Sequence, residues 1–454
     1  MKRIHLAKLI EALPGAARPL VARLLAEAER RELAVHLVGG PVRDYLLGRP
    51  LRDVDLLVEA GGGPGAEELA RAAELPGARL VAHERFGTVR VEAEGVRLDL
   101  ATARTEVYAR PGALPEVRPG SLDEDLLRRD FTVNALAIPL SGAARRGRAV
   151  VVDPARGLAD LERGLLRILH ARSFHDDPTR ALRAARLAPR LGFRLARSSG
   201  GALRAALRDG AFGGVSGERF RAELEKLFED GRLGLDPACA LRLLADWHVL
   251  GALEPGLGLP GPAAAPLRRL GRALGEPPWD ALGARPLLCG LMLWLAPVEP
   301  GLRRRTLRRL SLSGAPAEAV LDFAGEREAR LRSLGRARGR GAWDAALSPL
   351  PAELLLALFA AAPPPVRRGV LRWAREDRSV VLPVKGDDLV ALGLRGAAVG
   401  TALARLRAAW LDRAVRDRDD LLALAQELAK RSPVAHTRPA SPRRSPEKKR
   451  SSAE

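Results

Sequence analysis

The sequence predicts an α+β fold in which one sheet-containing domain is followed by helical domains. From Glu32 to about Leu140 strand and helix patterns alternate, with a helix expected from Ala66 to Ala73. From Asp153 onward the strand patterns disappear, and helical spacing continues nearly to the end. With 454 residues and 47% hydrophobic content, the chain is long enough for two to four domains.

The composition favours a polyanionic partner. Lys plus Arg outnumber Asp plus Glu by 75 to 55, a net charge of +20, which attracts nucleic acid, although a solvated basic coat is the alternative. Cys239 and Cys289 lie far apart, which argues against disulfides and zinc and fits a reducing cytoplasm. Because neither a leader pattern nor a run of about 18 apolar residues is found, we expect a protein that is neither secreted nor membrane-spanning.

The run HLVGGPVRDYLLG, which begins at His36, carries the first chemical signal. Its apolar start breaks at Gly39 and Gly40 and passes directly into helical spacing, which predicts a strand, a tight turn and a helix. Glycine tolerates positive φ and lets a phosphate approach the backbone, and the helix N-terminus offers unpaired amide groups. A triphosphate would fit at this turn.

Asp53 and Asp55 give the second signal, because they lie in DVDLLVE, a predicted buried strand. Residues two apart on a strand point to the same face, so the two carboxylates converge, which is costly unless a cation lies between them. Such ligands suit Mg²⁺, which completes its shell with water and phosphates. Two metals would activate an attacking hydroxyl and stabilise a leaving pyrophosphate. A glycine pair or an Asp-x-Asp is common by itself, and it is their combination that indicates this chemistry.

Further along, period-two spacing predicts a hairpin that turns near Glu94 and Gly95. Asp99, on its second strand, is a candidate third catalytic carboxylate or else a solvated strand residue. The run from Thr105 to Gly120 is rich in Pro and Gly, which predicts a loop rather than an element of secondary structure. Such loops often act as lids.

Two clusters of arginine follow. Arg128, Arg129 and Asp130 indicate phosphate and ribose contacts, with a surface ion pair as the alternative. A predicted helix that opens near Asp177 places Arg180, Arg183 and Arg186 in one stripe. Asp177 accepts and Arg180 donates a hydrogen bond, so this pair would accept C and A, which present an amino donor beside a ring-nitrogen acceptor, and would reject U and G. The alternative is an Asp and Arg ion pair on an amphipathic helix.

The order of the motifs resembles that of the class II nucleotidyltransferases, the family of bacterial tRNA nucleotidyltransferases and poly(A) polymerases. The motifs are GGPVRD, DVD, RRDFTVNAL, DPARGLADL, DDPTRALRAARLAPRLGF and SGERFRAELEKL, over about residues 32 to 230. The later segment LPVKGDDLVALGLRGAAVGTAL is similar to the tail region of CCA-adding enzymes. One departure is Asp176, where the family usually has Glu before the template Asp.

The resemblance implies a sheet in the head alone and a chain of successive segments. They are an N-terminal helical extension (1–31), a nucleotidyltransferase head with a small mixed sheet (32–150), a helical neck that reads the base (151–230), a helical body (231–340) and a helical tail that binds tRNA (341–430). Composition adds a disordered basic tail (431–454).

The resemblance also implies the roles of individual residues. Asp53 and Asp55 would hold Mg²⁺ and, with Asp99, form the catalytic set, while Asp177 and Arg180 would be the protein template for the base. The residues implied to bind nucleotide are Gly39, Gly40, Arg43, Arg129, Asp130, Asn134, Asp177, Arg180, Arg183 and Arg186.

We therefore expect addition of C and A from CTP and ATP to the 3′ end of tRNA, with neither a nucleic-acid template nor a membrane partner. A-adding tRNA nucleotidyltransferase or poly(A) polymerase is the alternative, and a non-catalytic RNA-binding protein is a minor one, because it would not need Asp53 and Asp55. CC-adding members typically lack the flexible loop after the head strands. TEVYARPGALPEVRPG supplies that loop here, so addition of C alone is less expected.

Overall fold

The computed structural model describes residues 2–61, 65–83, 87–93, 95–107, 116–142 and 147–431. The chain forms two compact units, residues 1–327 and 328–454. The predicted division into six segments stays a prediction. Within the described ranges, no helix has the length and apolar character needed to cross a membrane.

Among the described residues, the strands lie in the first unit. They are Arg3–His5 (β1), Ala34–Val38 (β2), Val54–Glu59 (β3), Arg79–His83 (β4), Thr88–Ala93 (β5), Val96–Thr102 (β6), Arg104–Val107 (β7), Glu116–Pro119 (β8), Ala137–Pro139 (β9), Arg148–Val150 (β10), Leu165–Leu166 (β11) and Arg194–Leu195 (β12).

Helices make up most of the remainder. The helices that begin in the first unit are Leu6–Ala12 (α1), Ala17–Arg30 (α2), Gly40–Leu46 (α3), Ala66–Ala72 (α4), Leu122–Leu127 (α5), Gly157–Arg163 (α6), Ser173–Asp176 (α7), Thr179–Leu191 (α8), Arg197–Arg208 (α9), Gly217–Glu229 (α10), Pro237–Asp246 (α11), Val249–Leu253 (α12), Gly261–Leu274 (α13), Pro286–Leu295 (α14), Pro300–Arg309 (α15) and Gly314–Arg336 (α16). Those of the second unit are Gly339–Leu347 (α17), Ala352–Ala361 (α18), Pro364–Arg372 (α19), Gly386–Ala391 (α20), Ala397–Leu411 (α21) and Arg418–Arg431 (α22).

A six-stranded mixed sheet with the order β4-β5-β6-β3-β2-β9 forms the centre of the first unit. β3 and β6 run parallel, and every other neighbouring pair in this sheet is antiparallel. The parallel register places Asp55 directly opposite Asp99. The predicted mixed sheet and the β5–β6 hairpin are confirmed.

The N-terminal helices belong to the core of this sheet. Leu9 of α1 and Val21 of α2 are fully buried in one cluster with the strand residues Leu56 and Leu100. The break between the two helices falls at Pro14 and Gly15. Before α1, β1 pairs with β10, so backbone hydrogen bonds connect the N-terminal segment to the sheet-containing part of the first unit.

Two sequence predictions of secondary structure are wrong. Residues 105–120 are predicted to be loop, but β7 pairs with β8 in an antiparallel ribbon, and residues 108–115 between them lie outside the described part. After Asp153 only helices are predicted, but α6 ends at Gly164, which has a φ of +62°, and β11 then pairs with β12. Strands of two to four residues are too short to show a period of two.

The second unit contains a helical core of its own. Leu389, Leu406 and Leu421 are fully buried in it. A buried polar cluster lies beside α17, where Asp344 accepts hydrogen bonds from the indole Nε1 of Trp373 at 2.8 Å and from Arg407 Nε at 2.6 Å. A buried carboxylate with two donors is satisfied, so this cluster fixes how α17 and α21 pack.

Candidate active site

Every residue implied to act in the site lines one or both of two adjoining cavities in the first unit. The arginine chamber has a volume of about 440 Å³, and the predicted residues that line it are Gly39, Gly40, Arg129, Asp130, Asn134, Asp177, Arg180 and Arg183. The carboxylate chamber has a volume of about 550 Å³, and the predicted residues that line it are Gly40, Arg43, Asp53, Asp55, Asp99, Asp130, Asn134, Arg183 and Arg186. The four residues common to both sets form the boundary between the chambers.

The glycine turn between β2 and α3 lies at this boundary. Gly39 has a φ of +73° and a ψ of −130°, a conformation that L side chains rarely adopt. A Cβ atom there would lie 2.6 Å from Nη1 of Arg129. The backbone angle therefore requires glycine at this position, and a side chain there would also displace the guanidinium of Arg129.

A chain of hydrogen bonds joins three elements across the boundary. Arg43 of α3 is 4% exposed, and its Nη1 donates to Oδ1 of Asn134 at 2.6 Å. Asn134 Nδ2 donates to Asp130 at 2.9 Å, and Arg183 Nη1 of α8 donates to the other oxygen of Asp130 at 3.2 Å. Arg183 also pairs with Glu223 of α10 at 3.5 Å. These bonds fix the positions of the side chains in the absence of a ligand.

Charge pairing sets the protonation states of Asp130 and Arg183 in this chain of hydrogen bonds. Burial acts to raise the pKa of Asp130, but Arg183 and the hydrogen bond from Asn134 outweigh burial, and the pKa lies below its ordinary value. Burial acts to lower the pKa of Arg183, but Asp130 and Glu223 outweigh it, and that pKa lies above its ordinary value. Both groups are charged at neutral pH.

Asp125, which is fully buried in α5, holds the adjacent arginines. It accepts hydrogen bonds from Arg129 Nη2 at 2.9 Å and from Arg128 Nε at 2.8 Å. Arg128 Nη1 also donates to Glu106 of β7 at 2.7 Å. The sequence indicates Arg129 as a phosphate contact, and the structure adds the carboxylate of Asp125 that orients it.

The pair that is expected to read the base is arranged differently from the prediction. Asp177 is not the first residue of the helix but ends α7 with extended backbone angles, and its Oδ1 accepts from the amide (3.1 Å) and hydroxyl (2.6 Å) of Thr179. The same oxygen accepts from Arg219 Nη2 of α10 at 2.8 Å. Asp177 therefore lies one residue before the N-cap Pro178 and accepts a hydrogen bond from the amide of the first residue of α8.

Arg180 is held by other groups. Its Nη1 donates to Ser173 Oγ at 2.5 Å, and its Nη2 donates to the carbonyl oxygen of Arg128 at 2.9 Å. Between the described residues the structure shows no hydrogen bond from Arg180 to Asp177, so the simple helix ion pair is not what positions them. Both side chains line the arginine chamber.

The three carboxylates meet on neighbouring strands. Asp53 is exposed just before β3, Asp55 is partly buried in β3, and Asp99 lies opposite Asp55 in β6. Asp99 accepts from Arg90 Nε at 3.1 Å and from Arg97 Nη2 at 2.7 Å. Burial raises the pKa of Asp55 to about 6, and Asp99 and Asp53 add to this rise while Arg129 opposes it.

This donor set fits a divalent cation that has few protein ligands. Carboxylate oxygens are hard donors, and burial raises the pKa of Asp55 with a further contribution from the charges of Asp99 and Asp53, a rise that a bound cation would oppose. In the part of the chain that is described, no group of three or more His, Cys, Asp or Glu side chains has the geometry of a complete metal site. Asp53 and Asp55 would therefore hold a cation whose remaining ligands come from water or phosphate.

Several lining residues are not indicated as site residues by the sequence. Arg219 and Glu106 line the arginine chamber, and Arg190 and Lys226 line the carboxylate chamber. Arg219 follows a recognisable helix start at Ser216, but its partner Asp177 is 42 residues away in the chain. Only a tertiary contact reveals such a role.

The sheet, the glycine turn and the paired aspartates define a nucleotidyltransferase. The Poly A polymerase head domain family matches residues 35–167. A CC-adding tRNA nucleotidyltransferase from Deinococcus radiodurans is 37% identical over 85% of this chain and 86% of its own length. The chain belongs to the tRNA nucleotidyltransferase family, whose members use a divalent metal.

Further relatives within this family differ in the reaction named for them. An A-adding tRNA nucleotidyltransferase from Geobacter sulfurreducens is 32% identical over 91% of this chain, which spans only 47% of the length of that relative. The Thermotoga maritima CCA-adding enzyme complexed with tRNA has a TM-score of 0.66 and 27% identity, with 94% of this chain and 99% of that chain covered. Two CCA-adding enzymes solved with CTP and with ATP have TM-scores of 0.66 and 0.68, with 27% identity over 93% of this chain and 98% of each of theirs.

Proposed function

We propose that the protein adds C and A from CTP and ATP to the 3′ end of tRNA without a nucleic-acid template and releases pyrophosphate. One observation carries this proposal. The chamber lined by Asp177 and Arg180 shares Gly40, Asp130, Asn134 and Arg183 with the chamber lined by the catalytic carboxylates. A nucleotide whose base lies in the first chamber would have its phosphates at this shared boundary.

The reaction is the attack of the RNA 3′ hydroxyl on the α-phosphorus of the nucleotide. A new phosphodiester bond forms, the bond to the β-phosphate breaks, and pyrophosphate leaves. The amides of the Gly39 turn, Arg43, Arg129 and Arg183 would bind the triphosphate, since helix N-termini and guanidinium groups are the usual phosphate ligands. Mg²⁺ bound by Asp53 and Asp55 would supply activation of the hydroxyl and charge stabilisation at the leaving group.

Base selection would come from two side chains that the protein fixes in advance. Arg219 and Thr179 hold Asp177, while Ser173 and the carbonyl of Arg128 hold Arg180. An acceptor and a donor in fixed positions match the amino group and ring nitrogen of C or A. U and G would present a carbonyl to the acceptor of Asp177 and an N–H to the donor of Arg180, so neither hydrogen bond to the base would form, which costs free energy in a buried site.

A-only addition is the second candidate, and the similarity to the Geobacter A-adding protein over 91% of this chain favours it. The similarity to the Deinococcus CC-adding protein favours addition of C alone instead. All three activities need the same carboxylates and the same base-reading pair, so the chambers do not separate them. We place the activity in the cytoplasm, where the free thiols Cys239 and Cys289 would remain reduced.

The test uses three tRNA substrates, which end before CCA, after the first two C residues, or at the complete CCA. Each is incubated with the protein, Mg²⁺ and one labelled nucleotide at a time, then with CTP and ATP together. CCA addition predicts C on the first substrate, A on the second, all three residues from the mixture, and no product without Mg²⁺. A alone on the second substrate would establish A-only addition, C alone on the first would establish CC addition, and long A tracts would establish poly(A) synthesis.

A further inference from the structure

The arginine stripe on α8 leads from one chamber into the other. Arg180 lines only the arginine chamber, Arg183 lines both, and Arg186 and Arg190 line only the carboxylate chamber. An α-helix rises 1.5 Å per residue, so Arg180 and Arg190 are separated by about 15 Å along the axis. The two ends of the stripe therefore face different parts of the reaction.

At the C-terminal end of the stripe, Arg186 and Arg190 make only long contacts with the carboxylate of Asp230. Arg190 lies 3.6 Å and Arg186 lies 3.9 Å from the two carboxylate oxygens of Asp230, beyond normal hydrogen-bond distance. Arg186 Nε and Asp230 Oδ2 are buried and have no hydrogen-bond partner among the described residues. Arg190 makes only this long ion pair through its side chain among the described residues, so its guanidinium retains donors for an additional ligand with acceptor oxygens.

Lys226 of α10 lines the carboxylate chamber on the same side. Its side chain is half exposed, and its ammonium group donates to Glu223 at 2.9 Å. A lysine ammonium has three donors, so bonding capacity remains. Basic side chains outnumber acidic ones among the described residues that line this chamber.

The proposed reaction brings two phosphate-bearing molecules, the nucleotide and the RNA, to the carboxylate chamber. The triphosphate has candidate ligands at the boundary in the Gly39 turn, Arg43, Arg129 and Arg183. The attacking hydroxyl must lie beside Asp53 and Asp55, and the strand that carries it has a phosphodiester at every nucleotide. The cations that line the carboxylate chamber are therefore candidate partners for this RNA backbone.

We propose that Arg190 and Lys226 bind the phosphodiester backbone of the RNA strand immediately upstream of its 3′ hydroxyl. The proposal rests on the proposed function. Asp230 is a positioning residue that keeps Arg190 directed toward the strand when no RNA is bound. The arginine stripe would then serve the incoming nucleotide at Arg180 and the strand being extended at Arg190.

The test compares Arg190→Ala, Lys226→Ala and the double variant with Arg208→Ala. Arg208 is exposed on α9 and lines neither chamber, so its variant removes the same charge elsewhere. We expect KM for tRNA lacking CCA to rise on the order of tenfold for each removed contact to a charged group, whereas KM for CTP stays unchanged. Arg190→Lys and Lys226→Arg should restore most of the loss, which separates a phosphate contact from a packing defect.

Binding of the same tRNA without nucleotide provides a second readout. The slope of log affinity against log salt should become shallower by about 0.7 for each lost contact to single-stranded RNA, and Arg208→Ala should not show this change. An unchanged slope together with an unchanged KM for tRNA would overturn the proposal. So would a rise in KM for CTP or weaker inhibition by pyrophosphate with RNA binding intact, since either assigns these cations to the triphosphate. Failure of the wild-type protein to extend any tRNA would defeat the proposed function, and the binding slopes would still decide this inference.

Discussion

The two chambers differ in how completely the protein satisfies its own charges. In the arginine chamber Asp130, Asp177 and Arg180 each have hydrogen-bond partners at 2.5–3.2 Å. In the carboxylate chamber, burial and the neighbouring aspartates raise the pKa of Asp55 to about 6, and Arg190 stands 3.6 Å from Asp230. The side chains of the first chamber are held by one another, whereas in the second the charges of Asp55 and Arg190 are less closely paired.

This difference matches two separate demands of nucleotide addition. Selecting a base requires donors and acceptors that do not move, because a flexible site would adapt to the wrong base. Transferring a nucleotidyl group requires charge stabilisation that appears with the metal and the substrates. The variants below test whether base selection depends on the arginine chamber and nucleotidyl transfer on the carboxylate chamber.

The largest effect is expected in the carboxylate chamber. Asp53→Ala or Asp55→Ala should lower the turnover rate by several orders of magnitude, because the loss falls on charge stabilisation in the transition state. Folding and tRNA binding should remain nearly intact. Asp246→Ala, which removes an exposed aspartate of α11 outside both chambers, is the matched control in the same kinetic assay. Normal turnover in either catalytic variant would remove the aspartate pair from the mechanism.

Gly39→Ala should disturb the boundary between the chambers. The added Cβ meets Arg129 at 2.6 Å and the backbone has a φ of +73°, so we expect a loss of about 1–3 kcal/mol in the free energy of unfolding. KM for CTP should rise as Arg129 is displaced. Gly201→Ala, inside α9 with open space around it, should instead stabilise the protein by about 0.5–1 kcal/mol. Equal results for the two variants in denaturant unfolding would contradict this interpretation of the turn.

Metal binding should depend on pH through Asp55. Its pKa of about 6 lies above the ordinary value of 3.8, so the folded, metal-free protein binds a proton there more tightly than the unfolded chain does. This contribution to stability is present at low pH and is lost as the pH rises through about 6. Mg²⁺ should therefore raise the melting temperature more at pH 7 than at pH 5, and its affinity should fall about tenfold per pH unit below 6. Calorimetric titration of Mg²⁺ at several pH values, with Asp55→Asn as control, measures this, and a pH-independent affinity would exclude Asp55 as a ligand.

The smallest effect is expected from the end of the chain. Deleting residues 433–454 should change tRNA affinity only modestly, because we expect the basic helices of the neck, body and tail to carry most phosphate contacts. The affinity of both forms should weaken steeply with salt as counterions are released. Titrations of both forms with tRNA at several salt concentrations test this. Complete loss of binding on deletion would show that residues 433–454 make the main contact with tRNA.

The sequence predicts best what short stretches determine. The Gly39 turn follows from an apolar run, two glycines and a helical pattern, and the β5–β6 hairpin follows from its period of two. The ribbon of β7 and β8 is not predicted from the sequence, because each strand has four residues and is too short to show a period of two. Asp177 is indicated by the sequence as a candidate site residue, but its bond to Arg219 depends on how α10 packs against α8.

The same limit applies to the arginines that follow α5. Acidic residues occupy the first turn of α5, where the helix dipole favours them, and Ser121 caps this helix. The sequence does not reveal that Asp125 is fully buried and holds Arg128 and Arg129. Burial of one member of an acidic run is a property of the packed domain.

The central claim, that protein side chains in the arginine chamber read the base, is tested most directly by kcat/KM for all four nucleotides on one tRNA end. In Arg180→Ala, C and A should lose about 1–3 kcal/mol of their advantage, the usual consequence of leaving a buried polar group unpaired. UTP and GTP should lose much less, and triphosphate binding through Arg43 and Arg129 should survive. An equal fall for all four nucleotides would show that Arg180 only stabilises the fold, and it would contradict the account.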